Sequence, residues 1–311
     1  MMPTTQRPRP LKVGLQLPEV ERVAPWRDLA TMARVAEEVG FDSLWVGDHL
    51  LYHYPDEEPK GPWEAWSILA GLAAITERVE LGPLVACTAF HNPAMLAKKA
   101  DTIEEMSGGR LILGLGAGWN EPEFRAFGYP YDHRVDRFEE ALTIIRGLLR
   151  DGHVDFAGTY YQVRDCELLP RGPRPGGPPL MIGSEGPRML RLALPHMASW
   201  NAWYAWFGNR PDGLAPLREK VDAACADVGV DPASIERTCA AFVALKGALG
   251  RPSGNTANRG VSPLAGTSEE LAAYLRAYAA AGISHLQLVL DPNTVESIEA
   301  FAPVLELLDR G

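Results

Sequence analysis

Eight short apolar segments alternate with eight longer segments of helical periodicity along the 311 residues, and this alternation constrains the fold more than any other feature. The apolar segments are typical of strands buried on both faces, and they span residues 13–17, 43–47, 79–85, 111–116, 179–183, 198–203, 239–245 and 285–290. The helical candidates span residues 26–39, 64–77, 93–106, 134–150, 187–194, 211–228, 268–281 and 294–308. Regular strand–helix order predicts parallel strands joined by right-handed crossovers. Eight such units favour a closed α/β (β/α)8 TIM barrel over a doubly wound sheet, which more often has about five to seven strands.

Two longer segments interrupt this alternation. Residues 152–179 contain the hairpin-like sequence VDFAGTYYQV and then a run rich in Pro and Gly, so they are an insertion after the fourth strand. Residues 247–266 are an insertion after the seventh strand, and their composition fits either an active-site lid or an ordinary surface loop. With a disordered tail over residues 1–10, we expect a single barrel domain over residues 11–311.

Charge and cysteine content narrow the class of partner. The formal net charge is −10 and the basic residues are dispersed, which argues against binding to nucleic acid or to an anionic membrane. Cys87, Cys166, Cys225 and Cys239 stand far apart, so neither a metal site nor a disulfide framework is expected. No apolar run approaches the roughly 18 residues of a membrane span. We therefore expect a cytoplasmic protein whose partner is a small molecule.

Chemically capable residues follow the predicted strands, at the rim where barrels place their active sites. Asp48 and His49 follow the second strand, and a histidine exchanges protons near neutral pH. Cys87 ends the third strand and lacks a nearby base, so packing or contact with a cofactor is favoured over a reactive thiol. Alternating glycines at residues 114–118 allow a flat ring or a phosphate to approach the backbone, and Asn120 could bind a heterocycle.

The fifth strand runs directly into a helix through the sequence GSEGPR. Small residues and backbone N–H groups at a helix start, with an arginine nearby, are typical of a phosphate-binding turn. A merely tight turn is the alternative. The residues of this turn that would contact a phosphate are Gly183, Ser184, Gly186 and Arg188.

Several motifs together are similar to those of the luciferase-like monooxygenase superfamily, which includes bacterial luciferase, alkanesulfonate monooxygenases and dehydrogenases and reductases that use the deazaflavin coenzyme F420. The motifs are GFDSLWVGDH (40–49), ERVELGPLV (77–85), NPAMLAKKADTIEEMSGGRLILGLGAGW (92–119), NEPEFRAFG (120–128) and PLMIGSEGPRMLRLA (179–193). The likeness extends over residues 11–308, nearly the whole chain. Because both flavin and deazaflavin members share this barrel, FMN remains an alternative to F420.

The resemblance implies roles for individual residues. Asp48 would contact the cofactor and His49 would lie at its reacting face. A strand bulge, often with a non-prolyl cis peptide, would fall at Leu84 and Val85, and Cys87 would face the ring. Asn120 matches a cofactor-contacting asparagine, while Gly183, Ser184 and Gly186 match the phosphate-binding turn.

Two departures from the family pattern bear on cofactor and substrate. Trp119 stands where the F420-dependent glucose-6-phosphate dehydrogenases have a catalytic glutamate, so Glu121 is the nearest carboxylate candidate and a sugar phosphate is disfavoured. Val135 stands where flavin monooxygenases often have a tyrosine, which favours F420 over FMN.

The resemblance therefore implies an F420-dependent oxidoreductase that acts on a small, largely apolar carbonyl, alcohol or enone. Tryptophans near the strand ends, Trp45, Trp66, Trp119 and Trp203, are expected to line a largely apolar pocket in which His49 is the main titratable group. A two-component FMN monooxygenase and a non-catalytic flavin-binding barrel are the alternatives. The expected protein partners are a second copy of the chain, in a homodimer, and a separate flavin or F420 reductase.

Overall fold

The apolar segments pair as parallel strands around a common axis in the computed structural model, which describes residues 9–53, 58–250 and 260–310. The strands in chain order are β1 Lys12–Gln16, β2 Ser43–Val46, β3 Glu80–Pro83, β4 Ala86–Cys87, β5 Leu113–Gly116, β6 His153–Ala157, β7 Gln162–Glu167, β8 Leu180–Ile182, β9 Ser199–Ala202, β10 Glu236–Ala244 and β11 His285–Asp291. All except β6 and β7 belong to one sheet, in the order β3-β2-β1-β11-β10-β9-β8-β5-β4.

The two ends of this sheet meet and close a barrel. The Leu81 N–H in β3 donates to the Arg110 carbonyl at 2.9 Å, and the Ile112 N–H donates to the Leu81 carbonyl at 2.8 Å. Strands β3 and β4 occupy one strand position, interrupted at Leu84 and Val85, whose peptide bond is cis as the resemblance implied. The sheet therefore has eight strand positions, and the predicted TIM barrel is confirmed.

Helices cover the outside of the barrel. They are α1 Trp26–Val39, α2 Ala65–Ile75, α3 Pro93–Met106, α4 Glu121–Phe127, α5 Arg134–Arg146, α6 Pro187–Ala193, α7 Ala215–Asp227, α8 Ser268–Ala280 and α9 Val295–Asp309. Capping follows the sequence: the Asn92 side chain accepts two N–H groups at the start of α3, and Thr267 and Glu270 form a capping box on α8. The short helix α4 was not predicted, and it matters for the site described below.

Both predicted insertions are visible at least in part. Strands β6 and β7 pair antiparallel, which confirms the hairpin after the fourth barrel strand. Of the segment after the seventh strand, residues 251–259 lie outside the described residues, as do residues 1–8 of the predicted tail. The described end of that segment returns to the barrel, where the Leu264 N–H donates to the Phe242 carbonyl at 2.8 Å. The lid, the disordered tail and the domain limits stay predictions.

Within the described ranges, no helix is both long and apolar enough to cross a bilayer.

Candidate active site

A cavity of about 440 Å³ opens at the carboxyl ends of the barrel strands, where TIM-barrel enzymes place their chemistry. Its walls come from the segments that follow β1, β2, β4, β5, β8 and β9. The lining includes Gln16, Glu19, Asp48, His49, Tyr52, Val85, Cys87, Trp119, Glu123, Arg134, Gly183, Ser184, Gly186, Trp203 and Trp206.

His49 is held at this cavity by a buried carboxylate. Its Nδ1 lies 2.8 Å from Glu123 Oε1, and its side chain is 20% exposed. The other oxygen of Glu123 accepts the backbone N–H groups of Leu50 and Leu51 at 2.8 and 3.3 Å. These bonds satisfy the buried carboxylate and fix the imidazole, which leaves Nε2 as the ring nitrogen that can meet a ligand.

A second buried carboxylate lies beyond that nitrogen. Glu19 Oε1 is 3.9 Å from His49 Nε2, too far for a hydrogen bond but close enough for a strong charge interaction. Its carboxylate accepts the Tyr52 hydroxyl at 2.5 Å and the Gln16 amide Nε2 at 2.9 Å. The imidazole therefore lies between two carboxylates, one from the loop after β1 and one from helix α4.

The charges around His49 change its protonation. Burial lowers the pKa of His49, but the hydrogen bond with Glu123 and the charges of Glu19, Glu123 and Asp48 together outweigh it, so the pKa is raised above its ordinary value of 6.5. His285, deeper in the same barrel, shows the opposite effect. Burial and the nearby charge of Lys12 lower its pKa to about 3. The carboxylates around His49 therefore favour its protonated form.

Asp48 joins the second and third strand positions. Its Oδ2 accepts the Cys87 N–H at 2.9 Å and lies 2.8 Å from His91 Nε2. His91 is in turn contacted by Trp66 Nε1 at 3.3 Å. Asp48 thus holds β4 in place beside the cavity.

Only glycine fits at positions 116 and 118, where the backbone packs against Val85 and Cys87 in the cavity wall. A Cβ at Gly116 would lie 2.8 Å from the Val85 side chain, and one at Gly118 would lie 2.5 Å from Cys87 Sγ. Gly118 also has a φ of 76°, which favours glycine. Burial and the charge of Asp48 raise the pKa of the Cys87 thiol, so it is a neutral wall residue and a poor nucleophile.

The structure brings most of the residues predicted from the sequence to this one cavity, but not all. Those that line it are Asp48, His49, Val85, Cys87, Gly183, Ser184 and Gly186. Asn120, Glu121 and Arg188 are not among its lining residues. The Asn120 amide donates to the Leu51 carbonyl at 2.9 Å, Glu121 is exposed at the start of α4, and Arg188 pairs with Asp136 and Glu139 on α5. The contact of the seven lining residues with a cofactor stays a prediction.

Two carboxylates at the centre of the site were missed. Glu123 lies two residues after Glu121, and α4 turns it inward while Glu121 faces solvent. Glu19 is the third residue after β1, and the strand-end criterion that selected Asp48 would also have selected it. His49 is therefore not the main titratable group of an otherwise apolar pocket, because Glu19, Asp48 and Glu123 surround it.

Of the four tryptophans predicted to line the cavity, two do so. Trp119 and Trp203 line the cavity, together with Tyr52 and Trp206, and the ring centroids of His49 and Trp119 are 5.6 Å apart. Trp45 instead fills the barrel interior, where its Nε1 donates to Ser43 Oγ at 2.7 Å, and Trp66 is buried on α2.

Comparison with known proteins places this barrel in a family. A model of the family described as luciferase-like monooxygenase matches residues 3–247, which is most of the chain. The chain belongs to the luciferase-like monooxygenase family. The resemblance stated from the motifs is thereby confirmed.

Curated luciferase-like relatives differ in the reactions that their names state. An F420-dependent glucose-6-phosphate dehydrogenase of Amycolatopsis mediterranei is 37% identical over 59% of this chain and 54% of its own length. A 5,10-methylenetetrahydromethanopterin reductase of Archaeoglobus fulgidus is 31% identical over 70% of this chain and 60% of its length. A pyrimidine monooxygenase of Stutzerimonas stutzeri is 33% identical over 53% of this chain and 46% of its length. The chain thus spans roughly half of each of these relatives.

Among solved structures, an F420-dependent secondary alcohol dehydrogenase in complex with an F420–acetone adduct superposes with a TM-score of 0.80. The match covers 96% of this chain and 99% of the other at 22% identity, so it shows the shared luciferase-like barrel fold.

The raised pKa of His49 predicts how its contribution to stability depends on pH. A group whose pKa is higher in the folded state stabilises the fold below its unfolded-state value, about 6.5, and this contribution is lost as the pH rises through the folded-state pKa. The difference in free energy of unfolding between wild type and His49→Gln should therefore be larger at acidic than at alkaline pH in urea titrations. A difference that grows with rising pH would show that the neutral imidazole is the form the fold prefers.

Proposed function

We propose that the chain is an F420-dependent oxidoreductase that transfers a hydride between the deazaflavin and a small, largely apolar carbonyl, alcohol or enone. The observation that carries the proposal is the cavity itself, in which a glycine-lined wall at Val85 and Cys87 faces a histidine that two carboxylates keep able to carry a proton. Hydride transfer to or from an oxygen-bearing carbon requires one proton at that oxygen. His49 Nε2 is the atom suited to exchange it.

The residues present fit a flat tricyclic ring with a phosphate-bearing side chain. Glycines at positions 116, 118 and 183 bring the backbone close to Val85 and Cys87, so a ring could lie against this wall without meeting further side chains. At Gly186 a Cβ would meet only ordinary contacts, 3.8 Å from Ser184 Oγ, which leaves space for a phosphate in the turn before α6. When bound, the deazaflavin would supply or accept the hydride.

The chain's own residues would orient and protonate the substrate. Glu123 holds the imidazolium through Nδ1, which directs the Nε2 proton into the cavity toward the substrate oxygen. Tyr52 and Trp119 flank the imidazole, with ring centroids 4.8 and 5.6 Å from that of His49, and would pack against the substrate. In the oxidative direction, the same nitrogen would accept the alcohol proton.

The second candidate is a two-component monooxygenase that receives reduced FMN from a separate reductase. The relationship to a pyrimidine monooxygenase favours it. We also propose that the chain forms a homodimer and that, with either cofactor, it works with a separate reductase. Oxygen uptake that depends on substrate would distinguish the monooxygenase, because hydride transfer alone consumes no oxygen.

Titration with each cofactor tests the proposal directly. F420 and FMN are added separately to the purified protein and binding is followed by fluorescence quenching. We expect F420 to bind more tightly, since the fourth-helix position that often carries tyrosine in flavin monooxygenases is Val135 here. Tighter binding of FMN would replace the F420 proposal with the monooxygenase.

The location of the phosphate is tested by Gly186→Val. The residue has an ordinary backbone conformation and an open Cβ direction, so the variant should fold. Its branched side chain should obstruct the turn and weaken cofactor binding by about 1–3 kcal/mol through lost charge-assisted hydrogen bonds. Ala233→Val, at an exposed position in the turn that precedes β10 and so at the opposite end of the barrel, is the matched control. Unchanged affinity in folded Gly186→Val would place the phosphate elsewhere.

A further inference from the structure

His91 lies behind the cavity wall, in the short segment between β4 and α3. Its backbone N–H donates to the Thr88 carbonyl at 3.2 Å, and the next residue, Asn92, caps α3. Its side chain is 10% exposed. His91 is not among the described residues that line the cavity. An effect of His91 on a ligand would therefore have to pass through a neighbouring side chain.

Asp48 is that neighbour. His91 Nε2 lies 2.8 Å from Asp48 Oδ2, and the same oxygen accepts the Cys87 N–H at 2.9 Å. An ionised carboxylate only accepts hydrogen bonds, so Nε2 carries the proton of its contact with Asp48. Two donors that are four residues apart in the chain therefore converge on one carboxylate oxygen.

The other carboxylate oxygen of Asp48 is left for a ligand. Within the described part of the chain, no group donates to Oδ1, and the residue is only 3% exposed. Asp48 also lines the cavity. A buried acceptor gains stability when it finds a donor, so Oδ1 is suited to accept an N–H or O–H group of a molecule in the cavity. The bonds to Oδ2 decide where Oδ1 points.

A buried indole restrains the imidazole of His91. Trp66 is buried on α2, and its Nε1 lies 3.3 Å from His91 Nε2. The two rings are arranged edge to face, with centroids 5.9 Å apart and planes at 81°. Because His91 is packed in this way, its contact with Asp48 has a defined direction, which an exposed pair would not keep.

We propose that His91 is a positioning residue for the cofactor. It would fix the Asp48 carboxylate through Oδ2, so that Oδ1 accepts a hydrogen bond from the ring N–H group that deazaflavins and flavins share. This inference rests on the proposed function only in that a ring of this type is taken to occupy the cavity.

Loss of the His91 donor would change the state of Asp48. The buried carboxylate would keep the Cys87 N–H as its remaining fixed donor among the described residues. Removing a hydrogen bond from a buried carboxylate favours its neutral form and allows it to rotate. A rotated or protonated carboxyl group no longer presents a fixed acceptor. The affinity for the cofactor should therefore fall, although His91 does not touch it.

Two variants separate this role from simple packing. His91→Leu keeps apolar bulk against Trp66 but removes the donor, whereas His91→Gln keeps an N–H donor near the place of Nε2. Binding is followed by fluorescence quenching with F420 or FMN, whichever binds wild type more tightly. His91→Leu should weaken binding at least about tenfold, and His91→Gln by no more than about threefold. His153→Leu, at an exposed position of β6, is the control and should leave the affinity unchanged.

Circular dichroism and the thermal midpoint show whether each variant is folded. A folded His91→Leu that binds within about twofold of wild type would overturn the inference. Equal losses in His91→Leu and His91→Gln would also overturn it, because the donor would then not be the feature that matters.

A double-mutant cycle shows whether Asp48 transmits the effect. In an Asp48→Ala background His91 has no carboxylate to fix, so His91→Leu should change the affinity by less than about twofold. A loss as large as in the wild-type background would contradict the inference, as would an Asp48→Ala protein that binds as tightly as wild type. If Asp48→Ala does not fold, the comparison of His91→Leu with His91→Gln still decides.

The outcome is separable from that of the proposed function. Tighter binding of FMN than of F420 by wild type would contradict only the F420 proposal, because the variants are then compared with FMN. Tight F420 binding that His91→Leu leaves unchanged would contradict only the role of His91. If neither cofactor binds wild type, both proposals are wrong.

Discussion

The backbone pairing of Leu81 in β3 with Arg110 and Ile112 closes the sheet, and the site depends on that closure. Parallel strands in a closed barrel bring all their carboxyl ends to one rim. His49 and Glu123, 74 residues apart in sequence, meet there at 2.8 Å. Glu19 reaches the same place from the first strand. In an open sheet, the segments that follow these strands and carry the three side chains would not meet.

Burying carboxylates in this arrangement costs free energy, and hydrogen bonds from backbone N–H groups offset part of that cost. An unpaired buried carboxylate would cost about 3–5 kcal/mol. Glu123 accepts two backbone N–H groups as well as His49, and Asp48 accepts the Cys87 N–H and contacts His91. The backbone thus satisfies these carboxylates where they are buried, and the hydrogen bond with Glu123 and the charges of Glu19, Glu123 and Asp48 raise the pKa of His49.

The barrel and part of the site could be predicted from the sequence, because they depend on the periodicity of apolar residues and on position at strand ends. The alternation of segments predicted the barrel, and strand ends identified Asp48 and His49. Glu123 could not be found in this way, because a short helix decides that it faces inward while Glu121 faces solvent. Helix α4 has seven residues, too few to show a clear period.

The direction in which a side chain points was the other feature that could not be predicted from the sequence. Trp45 lies at a strand end but points into the barrel, where Gly14 leaves the space it fills: a Cβ on Gly14 would lie 2.6 Å from Trp45 Nε1. That packing depends on two neighbouring strands at once, and no pattern within one strand reveals it. Arg188 likewise sits beside the predicted turn but pairs with acids on α5.

We propose that His49 exchanges the proton while other residues hold the cofactor. The most direct measurement compares kcat and cofactor affinity in wild type, His49→Ala and the exposed control His153→Ala. We expect His49→Ala to bind the cofactor within about twofold of wild type but to lose at least about 100-fold in kcat, while the control changes neither. A folded His49→Ala that keeps kcat within tenfold of wild type would contradict it.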